Sequence, residues 1–135
     1  AHAPKASGAN MEMTYIGSDV CGSCHAAEHA HWSTTGHASA WATLEKVGRS
    51  HDLDCWSCHV TGAGLPGGPT HPTQAAGLVD VGCEACHGPG ATHVAAAGRA
   101  PMTRRPAQAT CVQCHDGVKD EGRFDAEAYF VKIQH

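Results

Sequence analysis

The eight cysteines of this 135-residue chain all fall in one pattern, Cys-x-x-Cys-His, which occurs four times. The motifs, numbered 1 to 4 in chain order, contain Cys21, Cys24 and His25; Cys55, Cys58 and His59; Cys83, Cys86 and His87; and Cys111, Cys114 and His115. Two thiols at this spacing form thioethers with the vinyl groups of a haem, and the adjacent imidazole binds its iron. The sequence therefore predicts four covalently attached c-type haems, each with a motif histidine as proximal ligand.

Three other uses of paired cysteines explain the pattern less well. Two zinc ribbons would also need eight cysteines, but they would not require a histidine after every second cysteine. A disulfide scaffold tolerates irregular spacings. A thioredoxin-like motif stands alone beside a βαβ pattern, of which the sequence shows no sign. Haem attachment is the interpretation that accounts for all four copies.

The chain has too few large apolar residues for an ordinary core. Leucine, isoleucine, valine and phenylalanine make up roughly 13% of it, below the roughly 20% at which disorder is expected. The net charge of −4 is too small to extend the chain by self-repulsion. We therefore expect four porphyrins to supply the apolar interior and the haem-free chain to be largely unfolded.

The turn-forming residues predict a mainly α fold with extensive loops and negligible sheet, in which one domain over residues 1–135 wraps around the four haems. Helices are predicted over about residues 21–32, 37–47 and 91–97, and after Asp125, a suitable N-cap. Glycine and proline predict turns over residues 61–82 and a loop over residues 99–109. Residues 1–14 form a polar N-terminal extension, which we interpret as an assembly arm.

Covalent haem attachment takes place outside the cytoplasmic membrane, and the sequence shows neither a signal peptide nor a membrane-spanning stretch. We therefore expect Ala1 to be a processed N-terminus and the protein to be periplasmic or extracellular, without membrane insertion. Basic and aromatic residues are not interleaved, which argues against a nucleic-acid partner. Arg99, Arg104 and Arg105 form either a solvated loop or a set of haem-propionate partners.

Each iron has a second axial position, and eight histidines outside the motifs are available for it: His2, His29, His31, His37, His51, His71, His93 and His135. A surplus this large favours bis-histidine ligation over ligation by Met11, Met13 or Met102. Six-coordinate bis-histidine irons have no open position for a substrate, so such haems relay single electrons.

Three segments of the chain resemble the cytochrome c-554 family of tetrahaem proteins. They are Cys21-Gly-Ser-Cys24-His25 with Glu28, Trp32 and Thr-Gly-His37-Ala; the block Val81-Gly-Cys83-Glu84-Ala-Cys86-His87-Gly-Pro-Gly90 followed by His93; and the ending from Phe124-Asp125 through Tyr129 to His135. The resemblance runs from about Tyr15 to the C-terminus. It implies that His93 is the distal ligand of the first haem, His37 of the third and His135 of the fourth.

The second haem, attached at His59, receives no distal ligand from the resemblance. In the archetypal family member this haem is five-coordinate and open to small molecules such as nitric oxide. The family also resembles tetrahaem cytochromes that polymerise into extracellular filaments, in which a histidine of one subunit binds a haem of its neighbour. A polar N-terminal segment needs an anchor to be ordered. We therefore expect His2, in preference to His51, to bind an iron within the subunit or in the next one.

Two classes of function follow. The first is electron transfer through four closely packed haems, either as a shuttle between redox partner proteins or as the repeating unit of a conductive extracellular filament (a nanowire). The second is an enzyme whose open second haem reduces nitric oxide or a related small molecule. Asp52 and Asp54 are better explained as solvated loop residues, and no acid–base constellation is evident around His59. We favour electron transfer and assign no catalytic residue.

Overall fold

The computed structural model describes residues 11–117 and 122–135. Within these ranges, short helices are joined by turns and loops. Their α-helices are α1 (Ser18–Gly22), α2 (Ala26–Trp32), α3 (Ala40–Lys46), α4 (Leu53–His59), α5 (Cys83–His87), α6 (Ala91–Ala95), α7 (Gln108–Cys111) and α8 (Ala126–Ile133). Short 3-10 helices lie at Gly36–Ser39 and Pro72–Gln74. In these ranges β-structure is limited to isolated bridges of Val60 with Val79 and Asp80, so the predicted fold class is confirmed. No helix among the described residues is long and apolar enough to cross a membrane.

Each Cys-x-x-Cys-His motif adopts one helical turn. Motif 2 ends α4, and motif 3 forms the whole of α5. Motifs 1 and 4 close the same turn through backbone hydrogen bonds, from His25 N to Cys21 O at 2.8 Å and from His115 N to Cys111 O at 2.9 Å. Positions i, i+3 and i+4 of a helix share one face. The two thiols and the imidazole of each motif therefore lie on the same side of their turn.

The predicted helices differ from the observed ones mainly near motif 1. The helix expected over residues 21–32 is interrupted, because α1 ends at Gly22 and His25 leaves the helical region with φ −113° and ψ 59° before α2 begins. The helix expected over residues 37–47 begins as a 3-10 turn and continues as α3. The predicted N-cap of α8 is present, since Asp125 accepts hydrogen bonds from Glu127 N and Ala128 N at 3.1 and 3.2 Å.

The described residues bury few apolar side chains. Trp56, Val60, Ala63 and Ala75 form one small cluster against which Trp41, Leu78 and Val79 pack. Ala40 and Leu44 are the other buried apolar residues in this part of the chain. Three of the six buried apolar side chains are alanines, which remove little surface from water. This small core agrees with the composition, which already indicated that the haems must supply apolar volume.

Residues 78–82 run beside the end of motif 2 and lead into motif 3. Thr61 N donates to Leu78 O at 2.7 Å, and Asp80 N donates to His59 O at 2.9 Å. Val81 N donates to His37 O at 3.0 Å, so the same segment also reaches the start of the 3-10 turn. These hydrogen bonds fix the positions of the segments that carry His37, His59 and His87 relative to one another.

A buried carboxylate joins motif 3 to the chain that precedes motif 1. Glu84 is 3% exposed. Its Oε1 accepts hydrogen bonds from Ile16 N and Gly17 N at 3.0 and 2.7 Å, and its Oε2 accepts from Ile16 N and Gly90 N at 2.9 and 2.7 Å. Such charge-assisted bonds are the strong ones of a folded protein, so this side chain holds motifs 1 and 3 together.

Candidate haem sites

Two of the motif histidines have a ring orientation suited to metal binding. His59 Nδ1 lies 2.6 Å from Ala40 O, and His87 Nδ1 lies 2.5 Å from Thr103 O. A carbonyl oxygen can only accept, so Nδ1 carries a proton in both rings, and in the neutral form of the ring Nε2 keeps its lone pair. Metal-bound histidines ordinarily donate their other N–H to a carbonyl or carboxylate in this way.

Two of the predicted distal ligands show the same arrangement. His93 Nδ1 lies 2.6 Å from Ala100 O, and His135 Nδ1 lies 2.9 Å from Ile133 O. Both rings therefore also present an unprotonated Nε2. Four of the histidines singled out from the sequence thus share the tautomer that an axial ligand needs.

Three pairs of imidazole rings that include a motif histidine lie at a spacing that fits one iron between them. Metal–imidazole bonds of about 2 Å place two axial ring centroids roughly 6 Å apart. The centroid of His25 lies 6.5 Å from that of His93, and the distances are 6.3 Å for His37 and His115 and 6.0 Å for His87 and His135. Each of these pairs combines one motif histidine with one histidine predicted to be a distal ligand. The rings of His31 and His135 are also 6.1 Å apart, but Nε2 of His31 is 3.2 Å from Lys132 O.

Two of these pairs exchange the partners that the family resemblance implied. The resemblance assigned His37 to the third haem and His135 to the fourth. In the structure His37 faces His115 of motif 4, and His135 faces His87 of motif 3. The physical reason is the path of α8, which brings the C-terminus to the side of motif 3 while Tyr129 in its middle packs against His115.

Motif 2 is different from the other three. Among the residues that the structure describes, no imidazole ring is paired with His59. His51 and His71 are exposed, and His71 Nδ1 is 3.3 Å from Thr73 N, from which it accepts as the N-cap of the turn at Pro72–Gln74. The predicted ligand His2 and most of the N-terminal extension lie outside the described residues.

The two remaining histidines occupy other positions. His31 Nε2 lies 3.2 Å from Lys132 O, so the nitrogen that would bind a metal is already paired with the backbone of α8. His29 lies against Gly22 and 3.5 Å from a carboxylate oxygen of Asp19. Both side chains therefore help to hold α2 in place.

Contacts between thiols show which motifs are neighbours. A hydrogen bond between the Cys21 and Cys83 side chains lowers the pKa of Cys83 to about 6 and raises the pKa of Cys21. Burial, followed by the proximity of Cys58, raises the pKa of Cys114 to about 12. Burial also raises the pKa of Cys86, with Cys111 as the next cause. The motifs are therefore adjacent in the order 1, 3, 4, 2.

A cavity of about 900 Å³ lies between motifs 2 and 4. It is lined by Cys58 and His59 on one side and by Cys111, Cys114 and His115 on the other, with His37 at its wall. Cofactor pockets ordinarily span roughly 300–1,000 Å³, so this space is at the upper end of that range. A smaller cavity of about 120 Å³ lies between His87 and His135 beside motif 3.

Two imidazole rings at the larger cavity, those of His37 and His115, are constrained by their surroundings. Burial, and then the nearby His115, lower the pKa of His37, so this imidazole stays unprotonated at neutral pH. Phe124 stacks on His115 with a centroid distance of 4.4 Å and an interplanar angle of 16°. Tyr129 packs edge-on against His115 at 5.8 Å. The ring of His115 is thus restrained by two aromatic side chains.

Two of the three arginines noted in the sequence line the smaller cavity. Arg104 and Arg105 lie at its edge, and the guanidinium of Arg105 is 4.4 Å from the centre of the Phe130 ring. Arg99 is exposed and lines neither cavity. Arg104 and Arg105 would be available to pair with the carboxylates of a haem at motif 3.

The comparison with known families matches residues 20–88, about half of the chain, to the family described as "Cytochrome c554 and c-prime". The chain belongs to this family. The cytochrome is also 37% identical over 94 residues to "Cytochrome c-554" of Nitrosomonas europaea, a match covering 58% of this chain and 40% of that protein. It therefore spans well under half the length of this curated relative. No solved structure matches the chain significantly.

Membership of the family confirms the predicted resemblance and the class of cofactor. A member of this family is a c-type cytochrome, in which haem c is bound covalently. The residues present fit a haem. The paired thiols share one helical face, imidazole Nδ1 atoms are bonded to carbonyls, and facing imidazole rings leave room for one iron between them.

Two further residues have roles in the sites that the sequence did not reveal. Glu84 was noted only as part of the family-like block around motif 3, yet its carboxylate ties that motif to residues 16 and 17. Asp80 was not singled out, although it bonds to His59 O and to the first turn of α3. No sequence pattern points to Asp80, because its left-handed φ of 77° is visible only in the folded chain.

Proposed function

We propose that this cytochrome carries four haems and relays single electrons through them in the order of motifs 1, 3, 4 and 2. The observation that carries the proposal is the set of three facing imidazole pairs, His25 with His93, His87 with His135, and His115 with His37. The haem group supplies one-electron iron chemistry at each site. The chain's own residues supply the axial nitrogens, the thioether anchors and the local charge.

The order of the relay rests on the contacts between attachment thiols. Motif 3 is bonded to the chain just before Cys21, since Cys83 N donates to Ser18 Oγ at 3.1 Å. The thiols of Cys58, Cys86, Cys111 and Cys114 belong to residues that line one cavity, which places motifs 2, 3 and 4 together. Haems attached through these thiols would therefore be neighbours in the same order. Electrons then have a continuous path along the chain of sites, with motifs 1 and 2 at its ends.

In this proposal three of the four irons would have two histidine ligands each. The facing imidazoles at motifs 1, 3 and 4 would supply two nitrogen ligands to each iron, and the carbonyl acceptors hold the rings of His93 and His135 in place. Arg104 and Arg105 fit the carboxylates of the group at motif 3. These sites suit transfer of electrons rather than binding of a substrate.

Motif 2 supports the alternative function, because the described residues pair no imidazole with His59. If the sixth position is open, this end of the relay can bind and reduce a small molecule such as nitric oxide. If His2 of the same chain closes it, the cytochrome is a shuttle between redox partners. If His2 of a neighbouring subunit closes it, the site is the joint of a filament. Of these we favour electron transfer, in the periplasm or at the cell exterior.

The experiment combines haem counting with spin-state analysis of the purified holoprotein. Mass spectrometry of the intact chain should show four attached haems, and electron paramagnetic resonance should assign three of them as low-spin bis-histidine centres. Fewer than three such centres would overturn the proposal.

A His2→Ala variant then separates the functions, with His51→Ala as the matched control at an exposed spare histidine. Gain of a high-spin signal only in His2→Ala, together with loss of assemblies in analytical ultracentrifugation, supports the filament. The same gain in a protein that is monomeric throughout supports the shuttle. A high-spin signal already present in the unmodified protein, which shifts on adding nitric oxide, supports the enzyme and refutes ligation by His2.

A further inference from the structure

The imidazole of His59 is linked to a carboxylate through a single peptide group. His59 Nδ1 donates to Ala40 O at 2.6 Å. The N–H of the same peptide unit, that of Trp41, donates to Asp80 Oδ1 at 2.9 Å. The proton-bearing side of the ring, the Ala40–Trp41 peptide and the Asp80 carboxylate therefore form one continuous hydrogen-bond chain.

Asp80 is held in the position that this chain requires. Its φ of 77° lies in the left-handed region, which aspartate tolerates better than most residues but which still costs free energy. Its N–H donates to His59 O at 2.9 Å, and its carbonyl accepts from Thr61 Oγ1 at 2.7 Å. The backbone of Asp80 is thus bonded to the segment that contains His59. Its side chain is bonded to α3, whose first residue, Ala40, provides the carbonyl that accepts from the His59 ring.

Two other histidines of this type, His93 and His135, lack such a link. The acceptor of His93 is Ala100 O, and the next residue is Pro101, whose nitrogen has no hydrogen to donate. The acceptor of His135 is Ile133 O, and the N–H of the following residue, Gln134, is bound to a backbone carbonyl. Motif 2 therefore combines the absence of a paired imidazole among the described residues with a charged group behind its proximal ring.

We propose that Asp80 is a positioning residue that tunes the iron bound at His59 through the Ala40–Trp41 peptide. A negative charge at the N–H end polarises the peptide and makes its carbonyl a better acceptor, since hydrogen bonds in series strengthen one another. A stronger acceptor on Nδ1–H increases the electron-donating power of Nε2. The effect favours ferric iron, so it lowers the reduction potential at motif 2. This inference rests on the proposed attachment of a haem at that motif.

The test compares Asp80→Asn and Asp80→Gly with the unmodified holoprotein. Asparagine retains an oxygen acceptor and tolerates a left-handed φ, so it removes the charge and keeps the geometry. Glycine also tolerates this φ but removes the acceptor entirely. Asp125→Asn is the control, because Asp125 caps α8 in the same manner and does not contact His59.

Potentiometric titration followed by optical and paramagnetic resonance spectra should show one haem, that of motif 2, moving to a higher potential in Asp80→Asn and further in Asp80→Gly. Where that iron is five-coordinate when reduced, resonance Raman spectroscopy should also show a lower iron–histidine stretching frequency. The potentials of Asp125→Asn should equal those of the unmodified protein.

An unchanged potential at motif 2 in both Asp80 variants would overturn the inference, as would an equal shift of all four haems. Peptide mapping keeps this outcome apart from failure of the proposed function. If Cys55 and Cys58 carry no haem in the unmodified protein, the proposed function fails at motif 2. If they carry one and its potential ignores Asp80, only the tuning role fails.

Discussion

The carboxylate of Glu84 should be one of the most sensitive positions for the stability of this cytochrome. It is 3% exposed and accepts hydrogen bonds from three backbone N–H groups, those of Ile16, Gly17 and Gly90. A hydrogen bond to a charged group contributes about 1.5–3 kcal/mol, and a buried donor left without a partner costs about 1–3 kcal/mol. Burial this deep leaves little solvent screening of these interactions.

Replacement by alanine leaves three donors to find water or to remain unpaired. We expect Glu84→Ala to lower the free energy of unfolding by about 3–5 kcal/mol, which is large against the roughly 5–15 kcal/mol of a typical domain. Glu84→Gln should lower the free energy of unfolding by about 1.5–3 kcal/mol. The amide oxygen of glutamine can still accept from the N–H groups on one side, but its NH₂ group faces an N–H donor on the other side.

The assay is guanidinium unfolding of the holoprotein, followed by far-ultraviolet circular dichroism. Glu45→Gln on α3 is the control, because Glu45 is exposed and such changes ordinarily stay within about 0.5 kcal/mol. A Glu84→Gln variant as stable as this control would refute the reasoning. So would a Glu84→Ala variant no less stable than Glu84→Gln, since the cost is assigned to the number of donors left without an oxygen.

Two other predictions concern ligation and pH. His37→Gly should convert the haem of motif 4 to high spin and His135→Gly that of motif 3, as read by paramagnetic resonance after haem assignment; the opposite outcome would restore the partners implied by family resemblance. Burial, followed by the proximity of Glu84, raises the pKa of Tyr15 above its usual 10.0. The neutral phenol therefore stabilises the fold fully below about pH 10, and this contribution is lost as the pH rises through the folded-state pKa. Urea unfolding at about pH 9 and about pH 11 should show a smaller loss of stability in Tyr15→Phe than in the unmodified protein; equal losses would contradict this assignment.

The sequence by itself determined the attachment chemistry and the class of fold. A Cys-x-x-Cys-His motif needs only one helical turn to place both thiols and the imidazole on one face, so its reading depends on spacing and not on distant contacts. The shortage of apolar residues likewise indicated a core that the haems must complete, and the cap at Asp125 follows from local backbone geometry. Interactions between residues that are close in sequence can be predicted from the sequence alone.

Only the tertiary structure decided which histidines face each other. His37 and His115 are 78 positions apart in the chain, and the spacing of residues cannot tell which of two motifs a distant ring will meet. The position of His135 beside His87 depends on the direction of α8, and the roles of Glu84 and Asp80 depend on backbone groups brought together from separate segments. Ligand pairing and charge placement are properties of long-range contacts, which the four motifs require but do not specify.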